Sequence, residues 1–201
     1  MLQVLFSKER IISLYKKVFG YFLILFSLFS ILIIGVPQFY SSNNSGRIDK
    51  EIDLKLNFLK NEKAEVVILY FGYVGCDTIC VPSLSELDEI YNEIDKTKTS
   101  VYFINLLDII EKDLPNLFAS HFNKDFKGVY LDKSELLKVT KMLNVVYTKS
   151  FTNSYELNHA GYLYILQKDK ENKSYKQKYI YTTRPFAKTI IVEDIKKLLN
   201  N

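Results

Sequence analysis

Glycine, proline and cysteine are all scarce in this chain, at 7, 4 and 2 residues among 201. So little glycine and proline excludes a collagen-like or Pro/Gly-rich low-complexity chain. Two cysteines are too few for a small secreted scaffold that several disulfides hold together. Because 48% of the residues are hydrophobic, the stability of the fold must come from a packed core. The length is that of one folded domain rather than two.

An excess of positive charge is also missing from most of the chain. The formal net charge is +4, but Lys8, Arg10, Lys16 and Lys17 against Glu9 concentrate most of that charge near the N-terminus. The chain after this point is nearly neutral and has no basic stripe, which argues against a surface for polyanions. We therefore expect no nucleic-acid partner.

Charge is absent altogether between residues 18 and 46. As a helix, the apolar part Val18–Val36 would reach about 28 Å, close to the hydrocarbon thickness of a bilayer. A cleaved signal peptide has a shorter apolar region followed by a small-x-small site, whereas this stretch ends in Val36-Pro37-Gln38. The sequence predicts an uncleaved transmembrane anchor over residues 18–36; the alternative is a buried core helix of a soluble domain.

The basic residues near the N-terminus determine the expected orientation of this anchor. They all precede the span, so the positive-inside rule places residues 1–17 in the cytoplasm. Residues 37–50 then form a polar linker, and residues 51–201 form the folded domain. We expect a single-pass protein of the bacterial cytoplasmic (inner) membrane whose domain faces the periplasm or the cell exterior. That compartment is oxidising, so two close cysteines form a disulfide there unless they are reduced or metal-bound.

The domain alternates runs of strand and helix character. Apolar, β-branched runs predict strands, and apolar residues at three- and four-residue spacing predict helices. The predicted strands cover residues 65–71, 101–105, 128–131, 161–167 and 177–181, and the predicted helices cover 82–94, 114–122, 133–143 and 190–199. This order indicates an α/β fold with a mixed central sheet flanked by helices.

Cys76 and Cys80 lie four positions apart, where the first predicted strand leads into a helix. The free N–H groups and the dipole at a helix N-terminus stabilise thiolate, so at least one of the two thiols should be unusually acidic. Thiolates serve as nucleophiles in disulfide exchange and as ligands for soft metals. The CxxxC spacing alone does not choose between these roles, and a permanent structural disulfide is a third possibility.

The two histidines differ in context. His159 directly precedes the predicted strand at 161–167, which places it on a loop entering the sheet, where a turn histidine and a ligand are both compatible with the pattern. His121 comes at the end of an amphipathic stretch, where a solvated histidine at a helix end is the plain interpretation. We therefore keep His159 as a candidate and set His121 aside.

The segment Phe71–Cys80, FGYVGCDTIC, resembles the FGYxxCxxxC signature of the SCO/SenC copper-chaperone family. Tyr155–Leu166 resembles the later histidine segment of that family, and a single N-terminal anchor is similar to its layout. The resemblance implies a thioredoxin-like fold in which Cys76, Cys80 and His159 converge on one copper ion. It also implies delivery of copper to the dinuclear copper centre of cytochrome c oxidase subunit II.

The donor chemistry agrees with that assignment. Two thiolates and one imidazole form a soft set suited to Cu(I), which could also accept Cu(II) with an added weak or solvent ligand. Zinc prefers four ligands in a closed site, and the chain has no third cysteine. The residues thus favour a metallochaperone over an enzyme.

Two enzymatic alternatives use the same cysteines. A thiol-disulfide oxidoreductase that keeps the oxidase copper-site cysteines reduced would use Cys76 as the attacking thiol and Cys80 as the resolving thiol. Metal binding requires His159 as a third ligand, whereas disulfide exchange does not. A peroxidase of the same broad fold would require a peroxide-activating polar group beside its cysteine, and no residues suggest one.

Overall fold

The computed structural model describes residue 14 and residues 16–31, 46–107, 110–150, 156–171 and 174–200. The chain divides into two compact units, Met1–Asn44 and Ser45–Asn201. In the first unit, residues 16–31 form helix α1, and most of its large apolar side chains are exposed.

Helix α1 covers most of the apolar stretch for which the sequence predicts an anchor. Residues 32–36 of the predicted span and residues 37–45 of the predicted linker lie outside the described residues. Within the part of the chain that is described, no helix has both the length and the apolar character needed to cross a membrane. The anchor therefore stays a prediction.

The described part of the second unit contains eight strands, four helices and a short 3₁₀ turn. The strands are β1 (Arg47–Leu54), β2 (Val66–Gly72), β3 (Thr99–Asn105), β4 (Lys127–Val129), β5 (Tyr147–Lys149), β6 (Leu157–His159), β7 (Leu163–Lys168) and β8 (Tyr175–Tyr181). The helices are α2 (Cys80–Tyr91), α3 (Leu114–Phe122), α4 (Lys133–Leu143) and α5 (Lys188–Asn200), and the turn is Asn57–Leu59.

Six strands form one mixed sheet in the order β1-β8-β7-β2-β3-β4, and β5 and β6 form a separate hairpin. Strand β2 pairs in parallel with β3 and antiparallel with β7. The centre of the sheet thus joins a βαβ unit, β2-α2-β3, to a ββα unit, β7-β8-α5. This mixed sheet with flanking helices is the thioredoxin-like arrangement that the family resemblance implies.

Strand β2 lies at the middle of the core because its sequence, VVILYFG, has no polar face. All seven of its residues are buried, as expected for a strand covered on both sides. Helix α2 packs through Leu84, Leu87 and Ile90, whose spacing places them on one face. The helix begins at Cys80, two residues before the predicted start, so Pro82 falls in the first turn, where its missing N–H leaves no hydrogen bond unmade.

Helices α3 and α4 have the predicted bounds, and the other predicted elements are present with ends shifted by at most three residues. The end of α4 at 143 and its start at 133 have local causes: the Asp132 side chain accepts hydrogen bonds from the N–H groups of Ser134 and Glu135, and Asn144 adopts the left-handed conformation. The sequence does not predict β1 or the β5–β6 hairpin. Strand β1 reads RIDKEIDL, a charged pattern that an exposed edge strand tolerates.

A buried carboxylate joins the segment before β2 to the β3–β4 edge. Oε1 of Glu62 accepts hydrogen bonds from the backbone N–H groups of Lys63 and Ala64, at 2.7 and 3.0 Å. Oε2 accepts from Lys127 Nζ at 2.6 Å and from the Tyr102 hydroxyl. Burial alone would raise the pKa of Glu62, but the hydrogen bonds from Lys127 and Tyr102 outweigh it and lower the pKa to about 2.

We predict that Glu62→Gln lowers the free energy of unfolding at pH 7 by on the order of 2 kcal/mol. Since the folded-state pKa lies below the ordinary value of 4.5, this stabilisation is present above that value and disappears as the pH falls towards 2. Urea unfolding at pH 7 and at about pH 2.5 measures the difference. Glu65→Gln is the control, because Glu65 and its partner Lys98 are both half-exposed. An equal loss at both pH values would contradict the prediction.

Candidate metal centre

The loop between β2 and α2 is held by the end of strand β3. The Asn105 side chain, at the last position of β3, accepts a hydrogen bond from Val74 N–H at 3.1 Å and donates one to the Leu107 carbonyl at 2.5 Å. Within the loop, Cys76 N–H donates to the Tyr73 carbonyl at 3.2 Å. Asn105 is 1% exposed. Sequence reasoning missed it, although a polar residue at the end of an apolar strand was a signal for it.

Glycine at the end of β2 allows the second cysteine to approach the strand. A Cβ atom at Gly72 would collide with Cys80 Sγ and would lie 3.0 Å from the Phe103 ring. Cys80 is the first residue of α2 and is completely buried. The missing side chain at Gly72 therefore makes room for the sulfur between the strand end and the first helical turn.

The histidine arrives from a different part of the fold. The sequence places His159 on a loop, and that expectation is wrong, because His159 is the last residue of strand β6 and pairs with Tyr147 of β5. Three-residue strands with mixed composition carry too little periodicity to be recognised. The imidazole lies edge-on to the rings of Tyr70 and Tyr73, with centroids 6.5 and 5.9 Å away, and these contacts orient it.

These elements bring the three candidate residues together. His159 Nε2 lies 3.6 Å from Cys76 Sγ and 3.5 Å from Cys80 Sγ. The three donor atoms lie within 4.8 Å of one another, and all three residues are buried. No disulfide joins the two cysteines. Among the described residues this is the one group of three or more such donors able to hold a metal ion; His121 is exposed on α3 and stands outside it.

The two thiols differ electrostatically. The hydrogen bond from Cys80 lowers the pKa of Cys76 against the effect of burial, and hydrogen bonds from His159 and from the N–H groups of Cys80 and Ile79 lower it further. The hydrogen bond to Cys76 and burial both raise the pKa of Cys80. The pair therefore favours one thiolate at Cys76 and one thiol at Cys80.

A cleft of about 630 Å³ adjoins the cluster. Its walls are the loop Tyr73–Ile79 on one side and Leu157, Asn158 and His159 on the other, together with Ser150 and Glu156. Cys76 and His159 thus line this cleft, whereas Cys80 does not. The arrangement offers two soft sulfur donors and one nitrogen donor to a metal ion, or a thiolate and a buried thiol to a disulfide.

The fold and the site together define a class of protein: thioredoxin-like domains with a buried Cys-Cys-His cluster. The model of the SCO1/SenC family matches residues 60–200. The chain belongs to the SCO1/SenC family.

Individual relatives agree with the family model. An SCO2-like protein of Rickettsia conorii is 25% identical over 125 residues, which cover 59% of this chain and 60% of that protein. The chain thus spans about 60% of the length of this curated relative.

Two solved structures share the fold. ScoI of Arabidopsis thaliana with copper bound superposes with a TM-score of 0.60 at 18% identity, covering 76% of this chain and 98% of that one. BsSco, a member of the Sco family of cytochrome c oxidase assembly proteins, has a TM-score of 0.54 at 14% identity, with 74% and 91% covered.

We predict that Gly72→Ala weakens the binding of a soft metal by about tenfold or more, because the new methyl group displaces Cys80 Sγ from His159. Cadmium(II) is a suitable probe, since its sulfur-to-metal charge-transfer absorbance reports both affinity and the number of thiolates. Gly20→Ala is the control, because a Cβ at Gly20 meets nothing within 4 Å. Unchanged cadmium affinity in a folded Gly72→Ala protein would show that the close approach is not needed.

Proposed function

We propose that this protein is a membrane-anchored copper chaperone that carries Cu(I) on Cys76, Cys80 and His159. Its acceptor is the dinuclear copper centre of cytochrome c oxidase subunit II. The observation that carries the proposal is the convergence of two sulfurs and one imidazole nitrogen within 4.8 Å in a chain of the SCO1/SenC family.

The donor set supports copper as the cargo. Thiolates are soft ligands that select Cu(I), and three donors satisfy it without the fourth ligand that a structural zinc site requires. Binding through both sulfurs releases the Cys80 thiol proton to solvent, so the metal-free and metal-bound states differ in proton content. Copper is bound in the similar structure of Arabidopsis ScoI, which supports the same cargo here.

The proposed acceptor and location have separate support. BsSco, which shares the fold, belongs to a family of cytochrome c oxidase assembly proteins. The uncharged stretch at 18–36 is directly preceded by Lys16 and Lys17 and is followed by no basic residue before Arg47, which supports an anchor that leaves the folded domain outside the cytoplasm. A chaperone in that position can meet the part of an oxidase subunit that faces the periplasm or the cell exterior.

The asymmetry of the two thiols favours a second candidate function. A thiol-disulfide oxidoreductase requires an accessible thiolate that attacks and a protected thiol that resolves the mixed disulfide. Cys76 borders the cleft and has a lowered pKa, whereas Cys80 is completely buried, does not line the cleft and has a raised pKa. The same pair could therefore reduce the cysteines of the oxidase copper site instead of supplying the metal.

Copper titration tests the proposed site. Reduced wild-type protein should bind one equivalent of Cu(I) in competition with a chelator. Cys76→Ser and Cys80→Ser should each abolish tight binding, because a hydroxyl is a hard, essentially neutral ligand. His159→Ala should also bind copper far more weakly, whereas the control His121→Ala should match wild type. A cysteine variant that holds copper as firmly as wild type would exclude the three-donor site.

Oxidase assembly in cells separates the two candidate functions. If the protein delivers copper, His159→Ala should lower oxidase activity nearly as much as Cys76→Ser, and added copper should partly restore it by mass action. If the protein is a reductase, His159→Ala should be nearly silent, both cysteine variants should be severe, and added thiol reductant should rescue them. Near-normal oxidase activity in His159→Ala cells at limiting copper would decide for the reductase.

A further inference from the structure

A tyrosine hydroxyl lies unpaired in the core next to the cysteines. Tyr70 is in the middle of β2, its side chain is fully buried, and its Oη has no hydrogen-bond partner. A Cβ atom placed on Gly72 would lie 3.3 Å from Cε1 of the Tyr70 ring and would collide with Cys80 Sγ, so the ring edge and the sulfur lie on the same side of the strand end. The ring also meets the His159 imidazole edge-on. Ser83 and Cys80 both lie near enough to interact with the hydroxyl, but neither meets it with hydrogen-bond geometry in the metal-free protein.

An unpaired hydroxyl in this position needs a reason. A buried polar group without a partner destabilises the folded state, and phenylalanine would fill the same space without that defect. The β2 sequence VVILYFG is otherwise apolar. The hydroxyl therefore destabilises the metal-free protein. Its presence is explained if another state of the site supplies an acceptor for it.

Metal binding supplies such an acceptor at Cys80. Coordination removes the thiol proton and leaves a sulfur that bears negative charge in a completely buried position. Hydrogen bonds to charged groups are about twice as strong as those between neutral groups. The Cys76 sulfur accepts hydrogen bonds from the backbone N–H groups of Cys80 and Ile79 at the start of α2. The two groups that favour a thiolate at Cys80 are the backbone N–H of Tyr73 and the Tyr70 hydroxyl.

We propose that Tyr70 is a positioning residue whose hydroxyl donates a hydrogen bond to the Cys80 sulfur when that sulfur is bound to metal. This inference rests on the metal site of the proposed function and deepens it. Tyr70 touches no copper. It stabilises the metal-bound thiolate, lowers the energy of the sulfur lone pairs and turns an unfavourable group of the metal-free fold into a favourable one of the loaded fold.

The test compares wild type with Tyr70→Phe in the full-length protein. The Cu(I) dissociation constant of Tyr70→Phe, measured by chelator competition, should rise about tenfold. The sulfur-to-copper charge-transfer band of the Cu(II)-loaded protein should move to longer wavelength, since a sulfur without the hydrogen bond donates electrons more readily. The reduced, metal-free variant should have a midpoint temperature at least equal to that of wild type, because the unpaired hydroxyl is gone.

Tyr164→Phe is the matched control. Tyr164 is 1% exposed on the neighbouring strand β7 and packs edge-on against Phe71, so its substitution should leave the copper affinity and the band unchanged. A Tyr70→Phe protein with the wild-type dissociation constant and band would overturn the inference. So would a Tyr70→Phe protein that is less stable without metal and shares this loss with Ser83→Ala, because the hydroxyl would then be paired with Ser83.

These outcomes are distinct from failure of the proposed function. If wild-type protein binds no Cu(I), the copper site itself is wrong and the inference falls with it. If wild type binds Cu(I) and His159→Ala loses it while Tyr70→Phe does not, the copper site stands and only the role of Tyr70 is excluded.

Discussion

The close approach of helix α2 to the end of strand β2 is the contact on which the site depends. Cys80 opens the helix, Gly72 ends the strand, and a single methyl group between them would displace the sulfur. The same contact places Cys76 where the N-terminal N–H groups of α2 stabilise a thiolate. Because β2 is buried on both faces, this contact is built on a strand that the core covers completely.

Several features of this arrangement follow from the sequence. The apolar run of β2, the periodicity of α2 and the cap residues of α4 are local signals, and the elements they predict are present. The candidate residues Cys76, Cys80 and His159 could be named from their types and motif context. Local signals also predict a helix N-terminus beside the cysteines, and a helix N-terminus in turn predicts that one thiol is acidic.

Other features depend on contacts that no local pattern encodes. His159 follows Cys76 by 83 residues and Cys80 by 79 residues in the sequence. Its strand is too short to show alternation. Asn105 matters because it holds the β2–α2 loop, and Gly72 matters because the Cys80 sulfur approaches it; both contacts exist only in the folded chain. Strand β1 was missed because its charges are typical of a solvated segment, while pairing with β8 places it at the edge of the sheet.

The three donors do not belong to one rigid element. Both sulfurs are attached to the β2–α2 unit, whereas the imidazole is carried by the β5–β6 hairpin, a two-stranded sheet apart from the main one. A displacement of that hairpin would move the imidazole away from the two sulfurs without breaking any ladder of the six-stranded sheet. If an ion is held as proposed, loss of its nitrogen ligand would require only this local movement and not unfolding of the domain.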